Sequence, residues 1–186
     1  MKELDRNIQR KYSLSNYDSN WVNQFNSIRQ LLLGVFGDKA IRIEHVGSTA
    51  IFGMKAKPII DVLVVIEKIE DFTKEKEEML KAGYDWGDNY IAPNTVIFFR
   101  LGKDGERLEH IHVCERDAPK TRQFLVMRDF FRAFPEKAKQ YSDLKETNFK
   151  KYPNDYLAYR YAKSSFLDQI EREAYYWEES NKNLVQ

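Results

Sequence analysis

An almost unbroken aliphatic segment, Ile59 to Ile66, constrains the fold of this 186-residue chain more than any other stretch. Its opening at Pro58 and its composition predict a strand that is buried on both faces, as in the middle of a sheet. One carboxylate, Asp61, interrupts the segment. A carboxylate among aliphatic side chains is costly unless it meets a metal, a cation or a hydrogen-bond donor. The segment therefore predicts a central strand with a candidate functional group inside it.

A second strand and a glycine turn precede this segment. The residues from Ile41 to Val46 alternate, which predicts a strand with Glu44 and His45 on opposite faces. Gly47 breaks the strand and lets the backbone approach a ligand closely. Ser48 and Thr49 follow, and their hydroxyl and backbone N–H groups suit phosphate oxygens. Lys57 can add a positive charge for phosphate. A plain strand-to-helix turn with an N-cap explains the same turn without a ligand.

The rest of the chain predicts an α+β fold, in which a small mixed sheet flanked by helices is followed by a helical C-terminal part. Apolar residues at spacings of three and four predict a helix that starts at Asp18 and is ended by Gly34 and Gly37. Further patterns predict a helix at 71–82 and two strands at 95–101 and 107–115, joined by a turn at 102–105. Three helices are then expected: about 119–134, a second that begins at Pro135, and a long last helix after 153–154.

Composition excludes several classes of protein. Thirty Lys and Arg face 29 Asp and Glu, and the net charge of +1 gives no basic field, so nucleic acid is not an expected partner. One cysteine, Cys114, excludes an internal disulfide and, with three histidines, a Cys-rich zinc site. No signal peptide is visible and no apolar run approaches the roughly 20 residues that span a bilayer, so we expect a cytoplasmic protein without a membrane partner. The length fits one domain over 1–186, with an α/β core at 14–117 and a helical part at 118–178.

Two later pairs of residues are candidate ligands. His110 and His112 are two residues apart on an expected strand, so their side chains share a face. Arg128 and Arg132 lie one helical turn apart and can bind one anion together. Structural explanations stay open, since the histidines can be solvated or core residues and the arginines can form local ion pairs. Lys163 can be a surface lysine whose stem packs on neighbouring tyrosines.

Several motifs resemble the GrpB family. The most specific ones are IEHVGSTA at 43–50 and AKPIID at 56–61. Further matches are HIHV at 110–113, RDFFR at 128–132 and YAK at 161–163, with Tyr17, Asp18 and Trp21 in the opening segment. The resemblance covers roughly residues 14 to 174, so the chain is identified as a member of the GrpB family. That family is similar to the nucleotidyltransferase superfamily, which implies a nucleotidyltransferase-like fold.

The resemblance also implies a site, with one departure from the superfamily pattern. That pattern has a Gly-Ser at a helix start, an acidic-apolar-acidic triplet on the next strand and a third carboxylate on a later strand. The carboxylates hold Mg²⁺, which bridges the phosphates of a nucleoside triphosphate. Leu63 occupies the second acidic position here and cannot bind a metal. His110 and His112 fall about where the third carboxylate belongs, and with Asp61 they would form a two-His, one-carboxylate site.

We therefore expect a protein that binds a nucleotide or another phosphorylated small molecule with a divalent metal, Mg²⁺, Mn²⁺ or Zn²⁺, and a divergent nucleotidyltransferase is the activity to test. Asp61 would be the catalytic carboxylate and a metal ligand. The expected phosphate-binding residues are Gly47, Ser48, Thr49, Lys57, Arg128 and Arg132, with Glu44, His45 and Lys163 as further candidates. The alternatives are a non-catalytic binding or assistance module with a degenerate site, and a metal-dependent phosphate-ester hydrolase. A homodimer stays open, because the aromatic stripes of the last two helices suit a dimer face as well as a core.

Overall fold

A mixed sheet forms the centre of the computed structural model, which describes residues 12–88 and 92–183. Its five strands in that part of the chain are β1 (Arg42–Val46), β2 (Ile60–Ile66), β3 (Asp85–Asp88), β4 (Thr95–Leu101) and β5 (Arg107–Glu115). They lie in the order β1-β2-β5-β4-β3. The pair β2 and β5 is parallel, and the other neighbouring pairs are antiparallel. The expected small mixed sheet is confirmed.

Helices cover both faces of this sheet. Those in the described residues are α1 (Asn20–Phe36), α2 (Thr73–Lys81), α3 (Pro119–Ala133), α4 (Pro135–Lys151), α5 (Tyr156–Tyr161) and α6 (Ser164–Asn183). The first two lie on one face of the sheet, and α3 packs on the other with the remaining helices behind it. Gly37 ends α1 with a positive φ of 49°, as expected, whereas Gly34 lies inside the helix and does not end it. The predicted α+β class with a helical C-terminal part is confirmed.

Strand β2 is the most enclosed element of the sheet. It pairs with β1 on one side and with β5 on the other, and each of its residues except Asp61 is buried. This arrangement confirms the strand that the aliphatic run predicts, with a start one residue later than expected. Asp61 is the one residue of the strand that is only partly buried.

The two faces of the sheet carry different hydrophobic clusters. The larger cluster includes Leu32 of α1, Met79 of α2 and Phe98 of β4. On the opposite face, a smaller cluster brings Leu63 of β2 against Phe124 of α3. A third cluster joins α3, α4 and α6 to the loop that follows β1. The space between the second sheet face and the C-terminal helices is the region that contains the candidate site.

Two expectations about secondary structure differ from the structure. Strand β3 was not expected, because the sequence Asp85-Trp86-Gly87-Asp88 lacks an apolar alternation and forms an edge strand that pairs with β4. The last part of the chain is two helices, since α5 ends at Tyr161 and α6 begins at Ser164. Tyr159 of α5 is buried, and α6 packs on the third cluster through Ile170 and Ala174.

The N-terminal segment is extended where it is described. Ser15 forms an isolated antiparallel bridge with Ala56, and residues 1–11 of the expected first segment lie outside the described residues. In the described ranges, no helix combines the length and the apolarity needed to cross a membrane. The division at residues 117 and 118 stays a prediction, although α3 begins at Pro119.

A substitution in α1 tests the packing of the larger cluster. Leu32 is fully buried, so Leu32→Ala should lower the free energy of unfolding by about 2–5 kcal/mol through lost burial and a residual cavity. Val22 on the same helix is 45% exposed, and Val22→Ala should change it by no more than about 0.5 kcal/mol. Urea denaturation of both variants measures the difference, and equal losses would contradict this packing.

Candidate metal and phosphate site

Asp61 stands near the start of β2, on the sheet face that α3 covers. The register of the parallel pair places Asp61 beside His110 and Leu63 beside His112. Because alternate side chains of a strand point the same way, the carboxylate and both imidazoles project from one face. The structure therefore brings together three of the residues that the sequence singles out.

The ligand atoms of these three residues are close enough to share one metal ion. Asp61 Oδ1 lies 3.0 Å from His110 Nδ1 and 3.5 Å from His112 Nε2. One ligand atom from each residue lies within 4.8 Å of the other two. Ligands bound at about 2.0–2.2 Å from one ion are separated by roughly 3–4 Å, so the donor set fits a single divalent metal. The side chain of Asp61 is 27% exposed, which leaves a path for an ion to enter.

The carboxyl group of Asp61 is held in its anionic form. Burial on its own raises its pKa, but hydrogen bonds and charge interactions with His110 and His112 outweigh burial and hold the pKa well below its usual range. A metal binds the deprotonated carboxylate, so no proton has to be removed from this ligand at neutral pH.

The glycine turn lies directly against this carboxylate. Gly47 has φ 71° and ψ −172°, a conformation that is nearly restricted to glycine. A Cβ atom at Gly47 would lie 2.5 Å from Asp61 Oδ2. The missing side chain thus allows the turn and the carboxylate to meet, as the close-approach interpretation of Gly47 requires. A 3₁₀ turn, Ser48–Ala50, follows at once.

Two of the candidate residues are engaged on the opposite side of β1. Thr49 is buried, donates its hydroxyl to the carbonyl of Ile59 at 3.3 Å, and accepts from Nε2 of His45 at 3.0 Å. The imidazole of His45 stacks on Phe25 of α1 with ring centroids 4.8 Å apart. Burial and the nearby arginines lower the pKa of His45 to about 4, in spite of the opposing effect of Asp61. His45 is therefore a neutral core histidine that faces away from the site.

The two arginines are engaged with protein groups. Arg128 is buried and donates to Glu44 Oε2 at 2.8 Å and to the carboxylate of Asp129. Its ion pair with Glu44 ties α3 to β1. The guanidinium of Arg132 donates to the carbonyl of Ala50 through Nε at 3.3 Å and Nη2 at 3.0 Å. These contacts agree with the structural explanation of the pair, because all three guanidinium nitrogens of Arg128 donate to protein oxygen atoms.

Three lysines have contacts with Ser48 or with tyrosines of α4 and α5. Lys145 of α4 donates to Ser48 Oγ at 3.0 Å. Lys57 donates to the hydroxyl of Tyr156 at 3.0 Å. Lys163 lies in the break between α5 and α6, where burial and then the charge of Lys57 lower its pKa to about 8. Sequence analysis missed Lys145, whose only signal is its position four residues after the buried Tyr141.

A cavity of about 270 Å³ opens beside the glycine turn. Gly47 and Ser48 form one wall, and apolar side chains of α3 and α4, among them Phe124, Phe131 and Tyr141, form others. The ring of Phe124 also lies against His112, with centroids 4.6 Å apart. The cavity is therefore next to the metal-ligand cluster and is slightly smaller than a typical ligand pocket of about 300–1,000 Å³.

The residues beside the cluster on the same sheet face are apolar. Leu63 is fully buried and packs with Val46, Val65 and Phe124, so no carboxylate stands at the second acidic position. Cys114 shares this face, and burial raises the pKa of its thiol to about 12. Among the described residues, the cluster of ligand atoms that lie within 4.8 Å of one another does not include Cys114.

The fold and the site define an α+β protein with a glycine turn and a His-Asp cluster between its sheet and its C-terminal helices. The sequence matches the family described as GrpB protein over residues 11–173, and the chain belongs to that family.

Similar proteins agree with this assignment. The chain is 34% identical over 176 residues to UPF0157 protein YqkA of Bacillus subtilis, which covers 94% of this chain but only 50% of that protein. It is 36% identical over 161 residues to glutamate-rich protein GrpB of Alkalihalophilus pseudofirmus, covering 84% of this chain and 92% of that one. The crystal structure of conserved protein GrpB from Enterococcus faecalis matches with a TM-score of 0.82 and 29% identity, over 89% of this chain and 99% of that one. The structure of Cid1 in complex with its short product ApU is a weaker match, with a TM-score of 0.39 and 12% identity over 79% of this chain and 48% of that one.

Two glycines with nearly equal φ test the contact between the turn and Asp61. Gly47→Ala should lower the free energy of unfolding by about 1–3 kcal/mol more than Gly53→Ala, because the new methyl group overlaps the carboxylate. Gly53 has φ 75° but open space where a Cβ would stand, so Gly53→Ala adds a methyl group at a positive φ without the overlap. Chemical denaturation compares the two, and equal losses would contradict the close approach at Gly47.

The neutral His45 predicts a pH dependence of stability. Its pKa is about 4 in the folded protein and near 6.5 in the unfolded chain, so only the unfolded state takes up the proton as pH falls between these values. The stability is complete above the unfolded pKa and is lost as pH falls toward the folded pKa. His45 should account for roughly 2 kcal/mol of lost stability between pH 7 and pH 5. Urea denaturation at both pH values should show that His45→Gln removes most of this difference; an unchanged slope would show that His45 is not neutral in the fold.

Proposed function

We propose that this GrpB-family protein binds a phosphorylated small molecule, with a nucleotide as the leading candidate, together with one divalent metal ion. The observation that carries the proposal is the convergence of Asp61, His110 and His112, whose ligand atoms lie within 4.8 Å of one another. The glycine turn and the cavity adjoin this cluster, so a ligand bound there would have its phosphate end near the metal.

The donor set favours particular metals. Two imidazoles and one carboxylate suit Zn²⁺ or Mn²⁺ better than Mg²⁺, which prefers oxygen ligands. When bound, such an ion would neutralise charge on a phosphoryl oxygen and polarise its bond to phosphorus.

Other residues near the cluster would contact the phosphate of the ligand. Gly47 leaves the carboxylate of Asp61 open to the turn, and Ser48 contributes a hydroxyl at the border between the turn and the cavity. Lys57 would add positive charge for phosphate. We assign no ligand contact to the side chains of Thr49 and Arg128, because their polar atoms are used by protein groups.

Nucleotidyl transfer with a single metal is the activity that we propose to test first. The second candidate is a non-catalytic binding module, and the burial of Leu63 at the second acidic position favours it. Release of pyrophosphate from a nucleoside triphosphate in the presence of Mn²⁺ would support the transferase. Metal and nucleotide binding without turnover would support the module, and metal-dependent release of phosphate from a phosphomonoester would indicate the hydrolase.

The homodimer stays a prediction.

Asp61→Asn tests the metal site without changing the size of the side chain. We expect Zn²⁺ affinity, measured by isothermal titration calorimetry, to fall by at least about 100-fold. Loss of an outer partner of a ligand already costs about 10–100-fold, and this change removes an anionic ligand. His110→Ala and His112→Ala should weaken Zn²⁺ binding in the same way.

The third histidine provides the matched control. His45→Gln alters a histidine on the opposite sheet face and should leave Zn²⁺ affinity within about twofold of wild type. Zinc affinity that is the same in Asp61→Asn as in wild type would refute the metal site. A loss in His45→Gln as large as the loss in His110→Ala would show that the effect is not local.

A further inference from the structure

Strand β1 lies at one end of the sheet. In the part of the chain that the structure describes, its one neighbouring strand is β2, and the register between the two is regular over all five residue pairs. Near the end of β1, Arg128 of α3 donates to the carbonyl of His45 at 3.4 Å and covers the edge there. The first half is more accessible, because Ile41 just before the strand is 40% exposed and the side chain of Arg42 is 47% exposed. An accessible edge of this kind is a template for another strand.

The charges on β1 complement a second copy of the same strand. Arg42 and Glu44 project from the sheet face that α3 covers, and their side chains form an ion pair at 3.0 Å. When two copies of β1 pair in antiparallel fashion about Ile43, Arg42 of each copy lies directly opposite Glu44 of the partner subunit. Opposite charges at such positions stabilise an antiparallel pair, whereas like charges destabilise it. The strand is therefore complementary to itself under a twofold axis.

The other edge strand of the sheet has the opposite character. Strand β3 carries an acidic residue at each end. Antiparallel pairing of two copies about the middle of β3 would place Asp85 of one copy opposite Asp88 of the partner subunit, and these charges repel each other. Charged residues and prolines are devices that prevent edge-to-edge pairing. The sequence of β1 has no proline or lysine, and its two nearest charges have opposite signs, so β1 is the edge that favours a symmetric contact.

A groove of about 700 Å³ adjoins the same edge. Arg42 forms one side of this groove, and Leu125 and Val126 of α3 with Trp177 of α6 contribute apolar walls. The groove lies on the α3 side of the sheet, so the twofold axis that pairs two copies of β1 would bring both grooves to the same face of one continuous sheet. Apolar surface that is covered there would add to the contact between the strands.

We propose that the protein forms a homodimer in which β1 pairs antiparallel with β1 of a second copy, with Ile43 opposite Ile43 of the partner subunit. The contact is isologous and contains two pairs of Arg42 with Glu44 that are related by the axis. It does not involve the metal-ligand cluster, so it is independent of the proposed function. Two short strands and the adjoining grooves form a small interface, and the dimer therefore dissociates on dilution.

Sedimentation velocity of the full chain tests the dimer and its charge pairs. Wild type should shift from monomer toward dimer between about 5 µM and 500 µM. Arg42→Glu places two carboxylates opposite each other at both pairs and should weaken the dimer by at least about tenfold. Lys81→Glu is the matched control and should match wild type. It makes the same change in net charge and breaks an exposed ion pair with Glu78, on the helix that contacts the opposite edge strand β3.

Single cysteine variants test the register of the pairing. Residues directly opposite each other in an antiparallel pair have Cα atoms about 4.5–5.5 Å apart, which a disulfide can span. Mild oxidation of Ile43→Cys should therefore convert most of the dimer to a disulfide-linked form. Ile41→Cys is the control, because the two copies of residue 41 would lie roughly 14 Å apart and should form little disulfide. The native Cys114 is fully buried and contributes little background.

Four results would overturn the proposal. Wild type that stays monomeric at the highest concentration lacks the interface. Arg42→Glu that dimerises as well as wild type places the contact elsewhere, for example on the C-terminal helices. Lys81→Glu that loses as much affinity as Arg42→Glu shows that general surface charge is responsible. Ile41→Cys that cross-links as fast as Ile43→Cys shows that the strands do not pair about Ile43. The sedimentation test decides the proposal by itself when Ile43→Cys fails to fold.

Discussion

The hydrogen-bonded contact of Asp61 with His110 and His112 is the interaction on which the arrangement of the site depends. The contact forms because the parallel pairing of β2 with β5 places Asp61 directly opposite His110. His112 lies opposite Leu63, two residues further along the same sheet face. Three consequences follow. The carboxylate stays anionic, the two imidazoles are held on one face, and the turn above them must be a glycine, since any side chain at Gly47 would overlap the carboxylate.

The distribution of buried charge separates the framework from the site. Glu44, Arg128 and Asp129 satisfy one another and join β1 to α3, so they hold the sheet and the C-terminal helices in their relative positions. Around Ser48 the balance is different, because the buried Lys145 donates to the hydroxyl of Ser48 and not to a carboxylate. A protein tolerates such an imbalance most readily where a ligand supplies the missing charge, and the metal-ligand cluster adjoins this region.

Much of the fold could be predicted, because β2, β5 and α1 carry regular apolar patterns with clear glycine and proline boundaries. Edge strand β3 could not be predicted, because it is a strand through its pairing with β4 and its own sequence has no strand pattern. The shared face of His110 and His112 was predictable from alternation along a strand, whereas their meeting with Asp61 was expected from the resemblance to the nucleotidyltransferase superfamily. The hydrogen bond of the buried Thr49 to Ile59 and the burial of Lys145 beside Ser48 could not be predicted, because both depend on tertiary contacts.

Anomalous diffraction from crystals grown with zinc tests the central claim, that Asp61, His110 and His112 hold one metal ion, most directly. Data collected on the two sides of the zinc absorption edge should give a single strong peak within about 2.0–2.2 Å of Asp61 Oδ1, His110 Nδ1 and His112 Nε2. A map with no peak there, in which Asp61 keeps its 3.0 Å contact with His110, would contradict the account. In that case the three residues would be a hydrogen-bonded structural cluster.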